Sequence, residues 1–434
     1  MDDFLKSKKR ILLMDSGSYN TFGGSVKGIA LMYGYLSRLG TYDIDLLGDF
    51  SKMGLHNSIG ANEVFAGGRH SAGDYYRMIA RRFFFKGRLI ETYSPGFFKR
   101  DYDLVVLNSR MDVPIIDEYK KAHPNTKTIY IDRANIITNN AYALRKSLLL
   151  GFAYVLRESI PKALGRSREA SSTSFLGSLG TVYICHLMRR WLDTYISILP
   201  ELGHAARFFK RRTRVAHVGL AIGAEYVRLK GFAKSYLGGV YIGRLDERQK
   251  RVAFMIRGIR EAIDAHPELS GSELLRVVGD GPDSGHYRKL AHALGLDKNI
   301  RFFGHMAGDG LVKMYNDSGF YVSASEWESP GRAFVEAMAC GIPVLLNDRN
   351  NAVVSGNMKE RMVKDGKNGM VYRYDDAGDF ANKFYAMYSN TGALERMGRR
   401  AEEFAKRNFS LDKQNRMYAE EIKRALGART AQRK

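Results

Sequence analysis

The sequence predicts an α/β protein of two domains, each built on a parallel sheet. Three observations carry that prediction. Short apolar strands alternate with segments of helical period, a rhythm that produces parallel β-α-β units. The rhythm runs from Ile11 to Ile131 and restarts at Gly238. Between Gly319 and Asn347, strand, loop, helix and strand follow one another within 29 residues. A chain of 434 residues also exceeds one ordinary domain.

In the first half, Ile11–Met14 reads as a strand and Asp15–Gly24 as the loop after it. A helix over about Ser25–Leu39 leads through Gly40 to a second strand, Ile44–Leu47. Gly23 and Gly24 let the backbone approach a ligand closely, although tight βα turns also need glycine for geometry alone. Leu104–Leu107 and Thr128–Ile131 are further strands, joined by a helix around Val113–Ala122. Asp132 ends the second of them and is a candidate to orient an acceptor or a donor hydroxyl; pairing with the neighbours of Arg133 is the alternative. A helix over 183–198, carrying Trp191 and Tyr195, and a strand at Val215–Val218 close a first domain placed at 1–222.

Charge is the second bound. The net charge is +22, with 68 Lys and Arg against 46 Asp and Glu. Residues 71–100 carry an excess of five positive charges and residues 141–230 an excess of ten. Such a surface suits a polyanionic partner: an anionic membrane, a nucleic acid or an anionic polymer. Over 75–100, Tyr75, Tyr76 and Phe83–Phe85 alternate with Arg77, Arg81, Arg82, Lys86 and Arg88. That composition fits a bilayer interface, and it would also stack nucleic-acid bases. Residues 140–180 run apolar, then basic, then Ser/Gly-rich, and read as an amphipathic helix around Tyr142–Ile160 and a loop inserted in the first domain.

The start of the chain lacks the apolar core of a signal peptide, and its longest apolar run, Leu148–Leu156, is too short to span a bilayer. Cys185 and Cys340 lie far apart and read as reduced thiols. The expectation is a cytoplasmic protein, peripheral on the inner face of the cell membrane. No histidine stands at metal-ligand spacing and no Gly-x4-Gly-Lys-Ser/Thr loop occurs, so neither a metal site nor an NTPase of that type is predicted.

The second half opens with a strand at Gly238–Ile242 and a cationic loop, Gly243-Arg244-Leu245-Asp246 to Gln249-Lys250-Arg251. Arg grips a diphosphate through two parallel hydrogen bonds, and Lys adds a point charge. Leu274–Val278 runs into the turn Gly279-Asp280-Gly281-Pro282, and Ile300–Phe303 into Gly304-His305-Met306. Then come the strand Phe320–Val322, a polar loop over Ser323–Gly331, a helix over Arg332–Cys340 and a buried strand, Val344–Leu346. The start of that helix, Gly331-Arg332-Ala333, aims backbone N–H groups at the loop and so favours an anion. Glu328 and Glu336, seven residues apart, flank it. An exposed Arg332/Glu336 helix pair is the bland alternative for Glu336, worth a few tenths of a kcal/mol.

Taken together, Gly-Arg-Leu…Lys250, Gly-Asp-Gly-Pro, Phe-Phe-Gly-His, Glu328…Glu336, Ala-Met-Ala-Cys-Gly-Ile-Pro and Asp-Gly-Lys-Asn-Gly fall in order at the ends of successive strands. The set resembles the retaining family-four glycosyltransferases (group 1) with the GT-B fold. The resemblance is strong over about 236–410, weak over 10–135 and absent over 140–180.

It implies two Rossmann-like domains facing across a cleft, a donor domain over 223–412, and a last helix, 413–434, crossing back onto the first domain. It implies a nucleotide-diphosphate sugar, UDP-sugar favoured, as donor, with no cofactor, and a glycan or lipid-linked acceptor. Arg244, Lys250 and the amides of Gly331, Arg332 and Ala333 would hold the departing diphosphate. Glu336 would take the ribose hydroxyls, and Glu328 the donor sugar beside the reacting carbon. Gly23, Gly24 and Gly279 would line the site, and the backbone at His305 would hold the base. Four departures stand out: Asp132 where many members carry a histidine, Arg251 where a glycine usually follows the lysine, Ser329-Pro330-Gly331-Arg332-Ala333 in place of Gly-Phe-Gly-Leu-Pro, and the loop 347–361, which lacks the usual Gly-Gly-x-x-Glu pattern. A nucleotide-sugar epimerase or a phosphorylase on the same fold would need acids, histidines or a cofactor lysine not seen here. A non-catalytic nucleic-acid binder is suggested by charge alone.

Overall fold

The computed structural model describes residues 8–15, 24–48, 100–133, 183–198, 202–209, 213–231, 234–326, 328, 331–351 and 361–427. Gly23, most of the aromatic-basic segment 75–100, the helix around Tyr142–Ile160, Ser329 and Pro330 lie outside them. The chain divides into two compact units, Met1–Val218 with Asn415–Lys434, and Gly219–Gln414.

The first unit has a parallel sheet of β1 (Lys9–Asp15), β2 (Tyr42–Gly48), β3 (Leu104–Leu107), β4 (Lys127–Asp132), β5 (Thr194–Ser197) and β6 (Arg214–His217), in the order β2-β1-β3-β4-β5-β6. Ile11 stands opposite Ile44 on one side and Leu104 on the other. Both faces of a parallel sheet are covered, so its inner strands carry apolar runs, as Ile11–Met14 and Leu104–Leu107 do, while the edge strand β2 alternates with Asp43 and Asp45. Leu12 and Met14 enter one core with Val113, Ile116 and Tyr119 of helix α2 (Val113–Ala122). Ile11 and Leu13 point the other way, against Ile29, Met32 and Leu36 of α1 (Gly24–Leu39). The last helix, Leu411–Ala425, adds Tyr418, Ala419 and Ile422 to that same face. Arg214 on β6 holds the helix through Glu421, its Nε and Nη2 donating over 2.6 and 2.9 Å.

The helix expected over 183–198 is corrected. Its described part ends at residue 191, and Thr194–Ser197 is the strand β5, so Trp191 and Tyr195 lie on different elements. Asp193 makes the break: its carboxylate accepts the Thr128 amide at 2.9 Å and the Thr128 hydroxyl at 3.0 Å, which ties the chain to the start of β4. Thr-Tyr-Ile, β-branched and aromatic, then suits a pleated surface.

The second unit repeats the architecture with β7 (Gly239–Ile242), β8 (Leu275–Val278), β9 (Ile300–Gly304), β10 (Phe320–Val322), β11 (Val344–Asn347) and β12 (Gly369–Tyr372), all parallel, in the order β12-β11-β10-β7-β8-β9. Helices α3 (Val252–Ala265) and α4 (Ser284–Ala293) cover one face. α5 (Gly308–Asp317) and α6 (Arg332–Ala339) cover the other. The chain leaves β7 in one direction through β8 and β9, and in the other through β10 to β12. The order therefore reverses between β7 and β10, the place where an open α/β sheet binds ligands at its C-terminal edge.

Cys185 and Cys340 are free and buried. Burial pushes the Cys340 thiol up to about 12, and Cys185 is raised likewise, so neither is a ready thiolate at neutral pH. Among the described residues no helix is long and apolar enough to cross a membrane, and no cluster of His, Cys, Asp and Glu is placed to hold a metal ion.

A candidate donor site at the C-terminal edge of the second sheet

Two loops leave the reversal point side by side. The first, after β7, needs glycine on its neighbour. Gly279 has φ +136°, and a Cβ there would strike the Gly243 carbonyl. A Cβ on Gly281 would strike the Leu245 carbonyl in the same way. The Leu245 amide donates to the Asp280 carbonyl at 3.0 Å, and the Gly279 amide to that of Gly304 at 2.7 Å. Three strand-end loops are thus stitched through backbone alone. Asp246 then caps the short helix Glu247–Lys250, its Oδ1 accepting the Arg248 amide at 3.1 Å.

The second loop follows β10 and is fixed from below. The Asn347 amide group donates to the Ser325 carbonyl at 3.0 Å, and Asn350 donates to the same oxygen. The Tyr372 hydroxyl reaches the Ser323 carbonyl at 3.0 Å. The Glu326 amide donates across to the Gln249 carbonyl at 2.7 Å and joins the two loops.

On this frame the Lys250 ammonium forms an ion pair with Glu328, whose Oε1 also accepts the Ser325 hydroxyl at 2.8 Å. The two side chains are 16% and 11% exposed, so the pair is largely out of water and weakly screened. Arg244 is 63% exposed, 3.9 Å from Asp246, and remains open to solvent. Gly331 leads into α6 as the residue at its N-terminal end. Arg332 turns back to donate from Nη1 to the Ala221 carbonyl at 2.9 Å.

Glu336 is buried, 6% exposed, so it is not the solvated half of a surface pair. The Tyr315 hydroxyl donates to its Oε2 at 3.1 Å. Burial, then the Glu336 charge, raises that hydroxyl well above its usual value and keeps it a donor. His305 is exposed just past β9.

Arg251 carries the departure from the expected glycine. Its backbone is left-handed, φ 50° and ψ 44°, the conformation glycine adopts freely and other residues adopt at about 1–2 kcal/mol. The glycine geometry is thus kept while a side chain is added.

In the first unit, Gly24 begins α1. Asp132 is completely buried, and the Tyr195 hydroxyl donates to it. Among the described residues its carboxylate is enclosed at the strand end against Tyr195. Sequence reasoning missed a chain of polar groups at the reversal point of this sheet: Arg133 donates from Nε to Asn108 at 2.7 Å, and Asn108 donates to Asp15 at 2.7 Å. Polar residues closing apolar strands at Asp15 and Asn108 were the available signal. Ser325 and Tyr315 were missed as well, because neither belongs to a spaced motif.

Residues 239–404 match the family "Glycosyl transferases group 1". A D-inositol 3-phosphate glycosyltransferase of Kribbella flavida is 31% identical over 170 residues, 38% of this chain and 38% of that protein. The match spans less than half the length of the curated relatives. Among solved structures, a sucrose-phosphate synthase of Thermosynechococcus elongatus superposes with a TM-score of 0.68 at 15% identity, over 98% of this chain and 100% of that one. HepE of Anabaena, in complex with UDP and glucose, gives 0.63 at 14% identity over 96% and 100%.

Proposed function

We propose that this chain moves a sugar from a nucleotide-diphosphate donor to a glycan or lipid-linked acceptor with retention of configuration, a reading supported by the match of residues 239–404 to the group 1 glycosyltransferases and by the GT-B fold. The Lys250–Glu328 pair carries the reading, because it sets a cation for the leaving diphosphate against a carboxylate for the sugar at the reversal point of the second sheet. Lys250, Arg244 and the start of α6 at Arg332 and Ala333 stabilise charge building on the diphosphate as the glycosidic bond lengthens. Glu336, held by Tyr315, accepts the ribose hydroxyls. Glu328 holds the donor sugar beside the electron-poor carbon. No covalent nucleophile and no cofactor are part of this reading. UDP is favoured because HepE binds UDP and glucose on the same fold.

Thermal shift with a panel of UDP-, GDP- and ADP-sugars tests the donor. A ligand at one hundred times its Kd stabilises by about 2.7 kcal/mol. One sugar nucleotide is expected to raise Tm, and Glu336→Ala to remove most of that rise. An unchanged donor response in Glu336→Ala would refute the site.

The net charge of +22 supports a second part of the proposal, docking on an anionic bilayer where a lipid-linked acceptor resides. The protein is expected to float with vesicles containing phosphatidylserine at low salt and to be released at about 0.5 M salt, where screening is strong. Failure to float at low salt removes the membrane from the reading.

A further inference from the structure

We propose that Arg251 and Glu326 form a second ion pair, parallel to Lys250–Glu328, whose task is to hold the catalytic pair in register; the proposal rests on the donor-site reading above. The four residues lie on the same two loops. Lys250 and Arg251 are consecutive, and Glu326 and Glu328 are two apart. Between them the Glu326 amide is bonded to the Gln249 carbonyl. Movement of either loop past the other therefore breaks both pairs together.

The Glu326 carboxylate gathers the ends of four strands. Arg251, after β7, stands 3.7 Å from its Oε2. Arg349, after β11, donates to its Oε1 at 2.5 Å, and the Tyr374 hydroxyl, after β12, donates to Oε2. Glu326 itself follows β10. The Arg251 guanidinium lies over Phe254 at 5.1 Å and over Tyr374 at 4.9 Å, and the Arg349 guanidinium lies over the Tyr374 ring at 3.7 Å.

One further observation shows that the side chain of Arg251 is used and not merely tolerated. Among the described residues only Arg251 and Asp375 have left-handed backbones without being glycine, and these two form an ion pair with each other. Both strained turns are held by the same contact. A glycine at 251 would suit the backbone and leave Glu326 and Asp375 without their shared cation. Arg251 and Glu326 touch no reacting atom in this scheme; they are positioning residues.

The test uses Arg251→Gly and Glu326→Gln in the full chain. Arg251→Gly suits the backbone at φ 50°, so it is expected to fold with an unchanged or higher Tm. The first readout needs no donor: the rate at which Lys250 is acetylated by an N-hydroxysuccinimide ester, followed by mass spectrometry. Lys250 is expected to react at least about fivefold faster in both variants, because its partner is no longer held in register. The second readout is UDP release from UDP-glucose in water, where kcat is expected to fall about tenfold with KM changed less than threefold, as a displacement well under 1 Å would give. Millimolar methylguanidinium is expected to restore part of kcat in Arg251→Gly. Wild-type labelling rates in both variants overturn the proposal. Faster labelling in a protein whose wild type neither binds nor cleaves any sugar nucleotide keeps the clamp and overturns the donor site instead.

Discussion

Replacing Lys250 with methionine is expected to lower the stability of the second unit by about 3 kcal/mol and the rate of the proposed sugar transfer by about 10²–10³. The two losses have different origins. Glu328 is 11% exposed, and without Lys250 its charge is left with the Ser325 hydroxyl and little water. Removing one partner of a buried ion pair costs more than removing both, because the desolvated survivor is what destabilises. The double variant Lys250→Met with Glu328→Leu is therefore expected to recover most of the stability and none of the activity. For a unit of this size about 3 kcal/mol corresponds to roughly 6–12 °C in Tm, well within calorimetry. A single variant as active as wild type, or a double variant less stable than the single, contradicts the assignment.

The second large effect is expected at Gly279. Alanine there meets two obstacles: φ of +136°, which L-residues rarely adopt, and the Gly243 carbonyl in the path of the new methyl group. The obstruction is backbone against backbone, so no rotamer change relieves it. Strain of this kind costs about 1–3 kcal/mol before the displaced loop is counted, and the loop displaced is the one carrying Arg244. Gly279→Ala is expected to unfold at clearly lower urea and to lose the donor-induced rise in Tm. Gly295 provides the control: its φ is +66° and a Cβ there would meet nothing within 4 Å, so Gly295→Ala is expected to cost about 1–2 kcal/mol with donor response intact. Equal effects at the two positions would mean that the close approach to Gly243 does not matter.

Much of this architecture was legible because parallel strands buried on both faces carry apolar runs, as Leu104–Leu107 and Val344–Leu346 do. The stretch Thr194–Ser197 was not legible. Four residues behind a helix give no periodicity of their own, and the break depends on Asp193 reaching Thr128, 65 residues away. At the site, motif spacing named Arg244, Lys250, Glu328 and Glu336, but no spacing rule says that Lys250 and Glu328 touch. The burial of Asp132 is not legible for a similar reason, since its partner Tyr195 reads as helical in the sequence and stands on β5 in the structure. Glu326 lies inside the Gly319–Asn347 stretch, but its partners come from three other loops and no spacing marks them. Arg251 was noticed as a missing glycine; only backbone angles reveal that the glycine conformation survives without the glycine.

The return of the last helix to the first sheet sets an order of events during synthesis. Tyr418, Ala419 and Ile422 complete the face formed by Ile11, Leu13 and the residues of α1. Between Val218 and Asn415 the ribosome adds the whole of the second unit, close to 200 residues, which takes roughly 10–40 s at ordinary rates of translation. Throughout that interval the first sheet has an uncovered apolar strip that no later residue has yet reached. The unit begun first is therefore finished last.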